Sequence, residues 1–498
     1  MHRCKSGRRR KALSVISCLL LLAPAALHSF EGSASAQGPA TRPRIRVACI
    51  GASITFGHGI PDREKNCYPA RMQTLLGAGY DVRNYGVSGC TMLRHGDSPY
   101  WGQKAYEEAL AFNPDIVVID LGGNDSKPQN WRFKGEFAAD TRAMIESLRA
   151  LPARPRVLVC LPMPAFKVTW GINDETIVKE LTPILRQIAF ETSTELIDLH
   201  TPFLDKQSWF ADTIHPSADG AALMAKIIGS VVGLKPDAAF NIEKSLAALG
   251  VAAKVSSFYG YRQLAFTMDG GRVAAATTVV RPYVTAAGRP YAWRGEFFGH
   301  EPQTDLALLE HGYHVVYVGA QDMFGAPAAM EIWEKLHGLL AKAGLGGKIV
   351  LIGMSRGGLY CYNWAARHPE TVAAIYGDAP VCDFKSWPGG KGRSSTTKGD
   401  WEALLKAYGF KDEAEALAYK KNPVDNLAPL AKAGIPIIHV VGQADTDVPV
   451  QENTDIIETR YKELGGTIQV IRKAGVGHHP HSLPNPEPIV DFILSHAK

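Results

Sequence analysis

From Arg44 to about Leu234, short apolar segments alternate with longer segments of helical periodicity. This alternation predicts a parallel sheet with helices on both faces, because parallel strands need crossover connections. The predicted helices lie near 68–76, 105–111, 136–148 and 177–190. The predicted strands are 44–50, 82–87, 116–121, 157–161 and 195–199. We therefore expect a complete α/β domain at residues 44–234.

A second series of strands follows a break in this rhythm. Residues 235–261 contain a short helix-like piece at 241–249 and a turn-rich end at 256–260, and we interpret them as a linker. The predicted strands after it are 263–268, 274–280, 290–293, 314–318, 348–352, 373–376, 435–441 and 467–472. The first two flank Asp269-Gly270-Gly271, which is typical of a hairpin, and the later ones alternate with helices. Residues 262–498 are therefore expected to form a mixed sheet with a parallel core.

Residues 1–36 have the pattern of a secretory signal peptide. Six basic side chains at the start precede an apolar run at 12–27, and small residues follow up to Ala36. The run is short for a membrane span and contains Pro24, which favours cleavage over a retained anchor. We expect a secreted or periplasmic protein without stable membrane insertion.

Charge and composition exclude some classes of partner. The net charge is +5, but residues 1–36 carry six basic side chains and one acidic one, so the remainder is about neutral. A neutral chain is a poor match for nucleic acid. The apolar fraction of 46% and charged fraction of 21% are ordinary for globular domains.

Six of the eight cysteines would remain after removal of residues 1–36. Their spacings contain no CxxC pair, so no metal site is predicted from them. Cys49 and Cys160 lie in apolar strands and are expected to be buried thiols. Two disulfides are candidates in an exported protein, Cys67 to Cys90 and Cys361 to Cys382.

A serine stands where the first predicted strand ends. Gly51-Ala52-Ser53-Ile54-Thr55 breaks the strand and leaves the Ser53 hydroxyl at the carboxyl edge of the sheet, where open α/β sheets bind ligands. Small neighbours let a substrate carbonyl approach, and a helix beginning here would direct backbone N–H groups at a developing oxyanion. Ser53 is a candidate nucleophile if the chain supplies a base, an acid and oxyanion donors.

Three later strand ends supply these groups. His215 is the candidate base, and Asp212, three residues earlier, is the candidate acid that fixes its tautomer. The N–H groups of Gly89 and Ser53 and the side-chain amide of Asn124 are candidate oxyanion donors. The five residues make one candidate catalytic site that needs neither a metal nor a cofactor.

Each segment also has an ordinary structural interpretation. Asn124-Asp125 is typical of a turn, Gly89 of a backbone requirement, and Asp212 of a cap for a helix at 217–232. For any one segment alone that interpretation is preferred. Their occurrence together, in this order, favours the catalytic one.

The set resembles the SGNH, or GDSL-like, hydrolase family over about residues 44–232. Ser53 matches the family's first block, Gly89 the second, Asn124 the third, and Asp212 with His215 the DxxH of the fifth. Ala52 departs from the family, in which Asp is more frequent. The resemblance implies a flavodoxin-like parallel sheet, and GASITFG, NYGVSG and DTIHP are similar to secreted esterases that deacetylate carbohydrates.

The second half contains another candidate nucleophile. Gly353-Met354-Ser355-Arg356-Gly357 matches GxSxG between an apolar strand and a helical segment at 359–367. This strand, turn and helix context is the one that a nucleophile elbow requires. Context matters here, because GxSxG alone is a weak signal.

The remaining triad candidates follow the last two strands. Asp445 and His478 complete the order Ser, Asp, His, and residues 262–498 resemble the α/β-hydrolase fold. Asp445 fits the acid better than Asp447, and His478 fits the base better than His479 or His481. Ser355, Asp445 and His478 are thus a second candidate triad.

The oxyanion donors of this second site would be the N–H of Arg356 and an N–H from Arg294 to Glu296, with Gly295 as the candidate, where the common HGG is replaced by Trp293-Arg294-Gly295-Glu296. Residues 383–430 form a long insertion before the strand that carries the acid, and such insertions often build a lid. The alternative for the whole half is a catalytically silent binding module.

Four aromatic residues of the first half lie in polar, loop-like segments and are candidates for stacking on sugar rings or for burial: Tyr100, Trp101, Trp131 and Trp170. Together with the family resemblance, they favour an exported serine esterase that removes a small acyl group, such as acetyl, from a carbohydrate. Lipid- or peptide-directed hydrolysis is the alternative. The oligomeric state stays open.

Overall fold

The computed structural model describes residues 43–269, 274–394 and 398–496, so the predicted signal peptide lies outside the described residues. The first sheet is wholly parallel and has the order β2-β1-β3-β4-β5. Its strands are β1 (Ile45–Gly51), β2 (Tyr80–Gly86), β3 (Ile116–Asp120), β4 (Arg156–Leu161) and β5 (Glu195–Asp198). This is the flavodoxin-like order, and the predicted fold class is confirmed.

Alternate residues of the central strand β1 are buried on opposite faces of the sheet. Val47 and Cys49 belong to one apolar cluster, and Ala48 and Ile50 belong to the other. Both faces are therefore covered, as the continuous apolar strands predict. The main covering helices are Tyr68–Leu76, Lys104–Phe112, Lys134–Arg149, Thr182–Thr192 and Ala218–Val232, and a π-helical segment, Ile177–Leu181, precedes the fourth. All four helices predicted from the sequence are present.

The second sheet is mixed and has the order β14-β13-β12-β11-β9-β10-β8-β7-β6. Antiparallel pairing is confined to β6 with β7, β7 with β8, and β8 with β10, and the other strands pair in parallel. The strands are β6 (Lys254–Phe258), β7 (Tyr261–Asp269), β8 (Ala274–Arg281), β9 (Tyr291–Arg294), β10 (His314–Val318), β11 (Ile349–Met354), β12 (Val372–Asp378), β13 (Ile437–Gly442) and β14 (Ile468–Lys473). The predicted α/β-hydrolase-like mixed sheet is confirmed.

The strand β6 lies within residues 235–261, where a linker is predicted, and shows that this prediction is wrong for Lys254–Phe258. Lys254–Phe258 pairs along its whole length with β7, from Lys254 opposite Ala265 to Phe258 opposite Tyr261. The predicted short helix is present at Ile242–Ala248, and its residues Ile242 and Leu246 belong to the core of the second half. The second half therefore begins its packing within 235–261. The tip of the predicted hairpin, residues 270–273, lies outside the described residues.

The helices of the second half cover both faces of its sheet. They are Gln303–Glu310, Pro327–Lys342, Gly357–Arg367, Thr454–Glu463 and Glu487–His496, with shorter ones in the predicted insertion at Lys398–Tyr408, Glu413–Ala418 and Ala428–Lys432. Phe384, Trp401 and Leu404 of the insertion are buried in an apolar cluster that also contains Phe324, Leu359 and Val448 from outside it. No helix in the described part of the chain is both long and apolar enough to cross a bilayer.

The six described cysteines are all buried free thiols. The candidate disulfides Cys67 to Cys90 and Cys361 to Cys382 are therefore not formed. Cys67 lies 3.5 Å from the side-chain amide of Asn84, and Cys90 lies 3.7 Å from the hydroxyl of Ser98. Each thiol thus packs within its own local environment.

Candidate active sites

The structure brings Ser53, His215 and Asp212 into one hydrogen-bonded chain. His215 Nε2 lies 2.7 Å from Ser53 Oγ, and His215 Nδ1 lies 2.7 Å from Asp212 Oδ2. With Nδ1–H donating to the carboxylate, Nε2 is left to accept the serine proton. The three residues have the arrangement of a nucleophile, a base and an orienting acid, although Ser53 and His215 are 162 positions apart in the sequence.

A tight loop fixes the acid relative to the base. Asp212 Oδ1 accepts the backbone N–H groups of Ile214, at 3.0 Å, and His215, at 2.7 Å. Burial raises the pKa of the Asp212 carboxyl, but the backbone and side-chain hydrogen bonds from His215 outweigh it, and the net shift is downward. Asp212 is therefore held as an anion, the form that stabilises an imidazolium.

Ser53 lies where the sequence predicts, at the carboxyl end of the central strand β1. It begins the short helix Ser53–Phe56, and the first N–H groups of a helix have no partner within it. The N–H of Ala52 donates to the backbone oxygen of Asp120 at 3.3 Å, which ties this turn to the end of β3. The turn is thus held by two neighbouring strands.

The two other candidate oxyanion donors lie in loops that are joined to each other. Gly89 has a φ of +85°, a conformation that favours glycine. Asn124 is buried and lines the same cavity as Ser53, and its side-chain amide donates to the Cys90 carbonyl at 3.1 Å. The structure thus places Asn124 beside the nucleophile and uses one of its two amide hydrogens to hold the Gly89 loop.

Asp125 is a residue of this site that the sequence analysis does not single out. Its buried carboxylate accepts the N–H groups of Met92, at 3.0 Å, and Leu93, at 2.8 Å. Burial raises the pKa of Asp125 to about 6, although these two N–H groups oppose the shift. Asp125 therefore fixes the loop that carries Gly89. Its position after Asn124 is the only sequence signal for this role.

The cavity at Ser53 is small, about 40 Å³. Apolar side chains, including Met163, Ile177 and Ile214, form much of its wall. This volume admits only about three water-sized groups. The carboxyl group of Asp120 also borders it and accepts a hydrogen bond from Thr55 Oγ1 at 3.0 Å, and burial raises its pKa to about 6.

The raised pKa of Asp120 predicts a pH-dependent effect on stability. Between about pH 4 and 6, the folded protein keeps a proton that the unfolded chain releases, so this group's contribution falls as the pH rises through that window. Asp120→Asn removes the cost, which is at most about 3 kcal/mol above pH 6. We expect the free energy of unfolding of the variant, relative to wild type, to increase from pH 4 to pH 7 in urea denaturation.

Asp115→Asn is the matched control with the opposite sign. The hydrogen bond from Arg46 lowers the pKa of Asp115, so the stability that this carboxylate contributes is present at neutral pH and is lost on acidification. Its replacement should cost more at pH 7 than at pH 3. If the change in the free energy of unfolding has the same pH dependence in both variants, the pKa of Asp120 is not raised in the folded protein.

Two aromatic rings lie against the imidazole of His215. The ring centroid of His58 is 4.6 Å from that of His215, and the centroid of Trp170 is 5.5 Å from it. Trp170 is 59% exposed. Among the other sugar-stacking candidates, Tyr100 and Trp131 are buried, and Trp101 is half-buried with its indole N–H donated to Met92 O. Trp170 alone of the four is exposed beside the triad.

The second predicted triad also forms one hydrogen-bonded chain. His478 Nε2 lies 3.1 Å from Ser355 Oγ, and His478 Nδ1 lies 2.7 Å from Asp445 Oδ2. Asp445 is buried, and its other oxygen accepts the N–H groups of Asp447 and Val448. The structure thus brings together the aspartate and the histidine that the sequence analysis prefers, while Asp447 donates a backbone bond to the acid.

The turn that carries Ser355 has the strained geometry of a nucleophile elbow. Ser355 has a φ of +46°, which is uncommon for a residue other than glycine. A Cβ at Gly353 would lie 3.0 Å from the Cα of Gly358, and one at Gly357 would lie 3.2 Å from the N of Glu296. Both glycines of the motif therefore allow strand, helix and neighbouring loop to approach closely.

Within the candidate segment from Arg294 to Glu296, the structure rules out the N–H of Gly295 as an oxyanion donor of the second site. The N–H of Gly295 donates to the Ile352 carbonyl at 2.9 Å, so the pairing of β9 with β11 occupies it. Gly295 still matters for close approach, since a Cβ there would lie 2.8 Å from the Gly357 carbonyl oxygen. The other candidate, Arg356, directly precedes the helix Gly357–Arg367, where N–H groups have no partner within the helix.

A buried arginine holds the loop after β9. The guanidinium of Arg294 donates to the carbonyl oxygens of Phe297, at 2.7 Å, and His300, at 2.8 Å, and pairs with the buried carboxylate of Asp305 at 2.9 Å. The side chains of Arg294 and Asp305 are 1% and 0% exposed. The loop that borders the second site is therefore attached to the core through one charged pair.

The cavity at Ser355 is much larger than the first, about 650 Å³. It is bordered by Phe297, Phe298 and Trp387, of which Trp387 comes from the predicted insertion, and by several histidines. Among the described residues, one group of side chains has its ligating atoms close enough to hold a metal ion, namely His478, His479 and His481, within 4.8 Å. Both ring nitrogens of His478 already engage the triad, so a metal there would compete with it.

The sequence model of the GDSL-like Lipase/Acylhydrolase family matches residues 49–223. An acetylxylan esterase from Xylanibacter ruminicola is 47% identical to the chain over 206 residues, which cover 38% of this chain and 43% of that protein. The chain thus spans less than half the length of this relative. The family resemblance predicted for the GDSL-like domain is confirmed.

Solved structures similar to parts of the chain are distant in sequence. The native aryl esterase of M. Smegmatis is 19% identical and covers 38% of this chain and 98% of its own, with a TM-score of 0.32. An acylaminoacyl peptidase of Pyrococcus horikoshii is 12% identical, and the match covers 51% of this chain and 44% of the peptidase, with a TM-score of 0.37. An S-formylglutathione hydrolase of Agrobacterium tumefaciens is 14% identical, and the match covers 49% of this chain and 99% of the hydrolase, with a TM-score of 0.37.

Proposed function

We propose that this chain is a serine esterase whose GDSL-like domain removes small acyl groups, acetyl in particular, from a carbohydrate. The observation that carries the proposal is the position of His215, 2.7 Å from both Ser53 and Asp212, at the carboxyl edge of the sheet. The 47% identical relative, which is named an acetylxylan esterase, supports an acetylated xylan as the substrate class. The small cavity at Ser53 matches an acetyl group and excludes long acyl chains.

The geometry supports a two-step hydrolysis. His215 Nε2 takes the proton of Ser53 as the oxygen attacks the ester carbonyl, and Asp212 stabilises the imidazolium. The N–H groups of Ser53 and Gly89 and the second amide hydrogen of Asn124 donate to the oxyanion. The sugar hydroxyl leaves with the proton from His215. Water, deprotonated by the same histidine, then releases the acid and restores Ser53.

Trp170 gives this site a surface for the sugar. Its indole is 59% exposed and lies against the ring of His215, so a pyranose that stacks on it would hold its acetyl group near Ser53. A lipid chain would need an apolar channel of greater volume than the cavity at Ser53 offers. These features favour a carbohydrate over a lipid at the first site.

We also propose that Ser355 is the nucleophile of a second ester hydrolase site, with Asp445 and His478 as acid and base. The hydrogen-bonded chain and the positive φ of Ser355 support this role over a silent binding module, because a binding surface has no need for a strained serine next to a histidine. The N–H of Arg356 is the oxyanion donor that we assign to this site.

Export is a further part of the proposal and rests on the pattern of basic, apolar and small residues in 1–36. Acetylated plant polysaccharides cannot enter a cell as polymers, which is consistent with a secreted or periplasmic enzyme. N-terminal sequencing of the protein recovered from its native host should give a chain that begins just after Ala36. A chain that retains residues 1–36 would contradict export by cleavage.

The substrate class is tested with the Ser355→Ala variant, in which the second site is removed. We expect it to release acetate from acetylated xylan and to hydrolyse p-nitrophenyl acetate, with kcat/KM for p-nitrophenyl octanoate at least about tenfold lower because the cavity excludes the longer chain. A variant that prefers the octanoate, or a triglyceride emulsion, over the acetylated polymer would contradict the proposal.

A further inference from the structure

The large cavity at Ser355 has an aromatic wall. Phe297 and Phe298 follow the strand β9, and Trp387 belongs to the insertion. The ring of Phe298 stacks with those of Phe258, at a centroid distance of 5.0 Å, and Tyr317, at 5.7 Å. The wall is therefore preorganised by packing, as a binding surface for a planar group requires.

Phe297, at the edge of the cavity, has an energetically unfavourable backbone conformation. Its side chain is 36% exposed, and its φ of +54° is uncommon for a bulky residue. The Arg294 guanidinium fixes this conformation through the Phe297 carbonyl at 2.7 Å. The ring of Phe297 contacts the Arg356 guanidinium at 5.4 Å, and its remaining exposed part beside the nucleophile is available to a ligand.

The two cavities differ in the size of the group that they accept. The cavity at Ser53 has about 40 Å³, whereas the one at Ser355 has about 650 Å³, within the range of about 300 to 1,000 Å³ that is typical of sites for drug-sized ligands. A polymeric alcohol has to extend into solvent, so we assign the acyl group to the cavity beside Ser355. A planar aromatic acid has the size and the chemistry of this space.

We propose that the second site hydrolyses esters of aromatic carboxylic acids, with the ring of the acid against Phe297, Phe298 and Trp387. This inference rests on the proposed role of Ser355 as a nucleophile. Ser355 Oγ bonds to the carbonyl carbon and gives its proton to His478, and the alcohol leaves with that proton. Water attacks the acyl carbon as His478 takes its proton, and His478 returns this proton to Ser355 Oγ as the acyl–Ser355 bond breaks, so the products are one aromatic acid and one alcohol.

The Ser53→Ala variant isolates the second site for the test. Its kcat/KM is measured for methyl ferulate, which has an aromatic acid, for methyl acetate, which has none, and for phenyl acetate, which has its ring on the alcohol side. We expect methyl ferulate to exceed methyl acetate by at least about tenfold. Equal rates for the two methyl esters overturn the inference, and so does hydrolysis that requires the ring on the alcohol side.

Labelling with a fluorophosphonate separates this failure from that of the proposed function. If Ser355 is labelled in the Ser53→Ala variant and acetyl esters are hydrolysed while methyl ferulate is not preferred, the nucleophile stands and the aromatic inference fails. If Ser355 is neither labelled nor active, the proposed second site fails, and the inference fails with it. Peptide mapping of the label identifies the serine.

Tyr259 offers a matched control for Phe297. Both are exposed aromatic residues with positive φ, 40% exposed with a φ of +52° for Tyr259, but Tyr259 does not border the cavity. In the Ser53→Ala background, Phe297→Ala should lower the ratio of kcat/KM for methyl ferulate to that for methyl acetate by roughly tenfold, and Tyr259→Ala should not change it. Trp387→Ala is the second variant, and fluorophosphonate labelling of Ser355 shows that each variant is folded. An unchanged ratio in both cavity variants overturns the proposal.

Discussion

Replacing His215 with alanine is expected to lower kcat/KM for p-nitrophenyl acetate at least about a thousandfold when the second site is removed by Ser355→Ala. His215 is the only described group that bridges Ser53 and Asp212, with 2.7 Å to each. Without it the serine proton has no acceptor during attack, and the leaving alkoxide has no donor. The loss should appear in kcat, because the acyl cavity is formed by other side chains.

His58 provides the control for this experiment. Its ring lies 4.6 Å from that of His215, so His58→Ala perturbs the same surface without removing the base. We expect less than about a tenfold change from that variant. If His58→Ala and His215→Ala are equally impaired, or if His215→Ala keeps activity within tenfold of the parent, the assigned base is wrong.

The largest expected effect on stability is that of Asp305→Ala. The variant leaves the Arg294 guanidinium, 1% exposed, without its carboxylate at 2.9 Å. Burial raises the pKa of Asp305, and the charge and hydrogen bond of Arg294 oppose this shift without cancelling it. Removing one partner of such a pair costs about 3 to 5 kcal/mol, because the remaining charge stays buried. Urea denaturation followed by tryptophan fluorescence measures the change.

An exposed ion pair serves for comparison. Glu108→Ala removes the pair with Lys104, whose side chain is 86% exposed, and should cost less than about 1 kcal/mol. Since Arg294 also holds the carbonyl oxygens of Phe297 and His300, Asp305→Ala should slow fluorophosphonate labelling of Ser355, and Glu108→Ala should not. Equal losses of stability in the two variants would show that Asp305 does not compensate the buried charge of Arg294.

Most of both sheets is predictable from the sequence, because buried parallel strands are continuous apolar runs bounded by turn residues. The strand β6 is not, since Lys254–Phe258 has one fully buried residue and contains Ser256 and Ser257, which are typical of turns. Its pairing depends on its neighbour β7 rather than on its own pattern. An edge strand of this kind carries little local signal.

The candidate triads are predictable because each residue lies in a short motif at the end of a strand. The tertiary contacts that determine which N–H groups are available as oxyanion donors are not predictable from such motifs. The Gly295 N–H is occupied because the pairing with Ile352 continues one residue beyond β9, and Asp125 acts through the N–H groups of Met92 and Leu93, more than 30 residues away in sequence. The Arg294–Asp305 pair is likewise a tertiary contact that no local spacing indicates.

The burial of aromatic residues is a similar case. Tyr100, Trp131 and Trp170 all occur in polar segments, yet only Trp170 is exposed beside a triad. A loop sequence does not indicate which side of the loop faces the sheet, because this depends on the helices that pack around the loop. The exposure of Trp170 beside the first triad is therefore known only from the structure.

The proposed deacetylation of a carbohydrate by Ser53 is tested most directly by measuring acetate release from acetylated xylan by matched serine variants. We predict that Ser355→Ala releases acetate at nearly the wild-type rate and that Ser53→Ala is impaired at least about a thousandfold. Full release by Ser53→Ala, together with its loss in Ser355→Ala, would contradict the account and place the deacetylation in the second half of the chain.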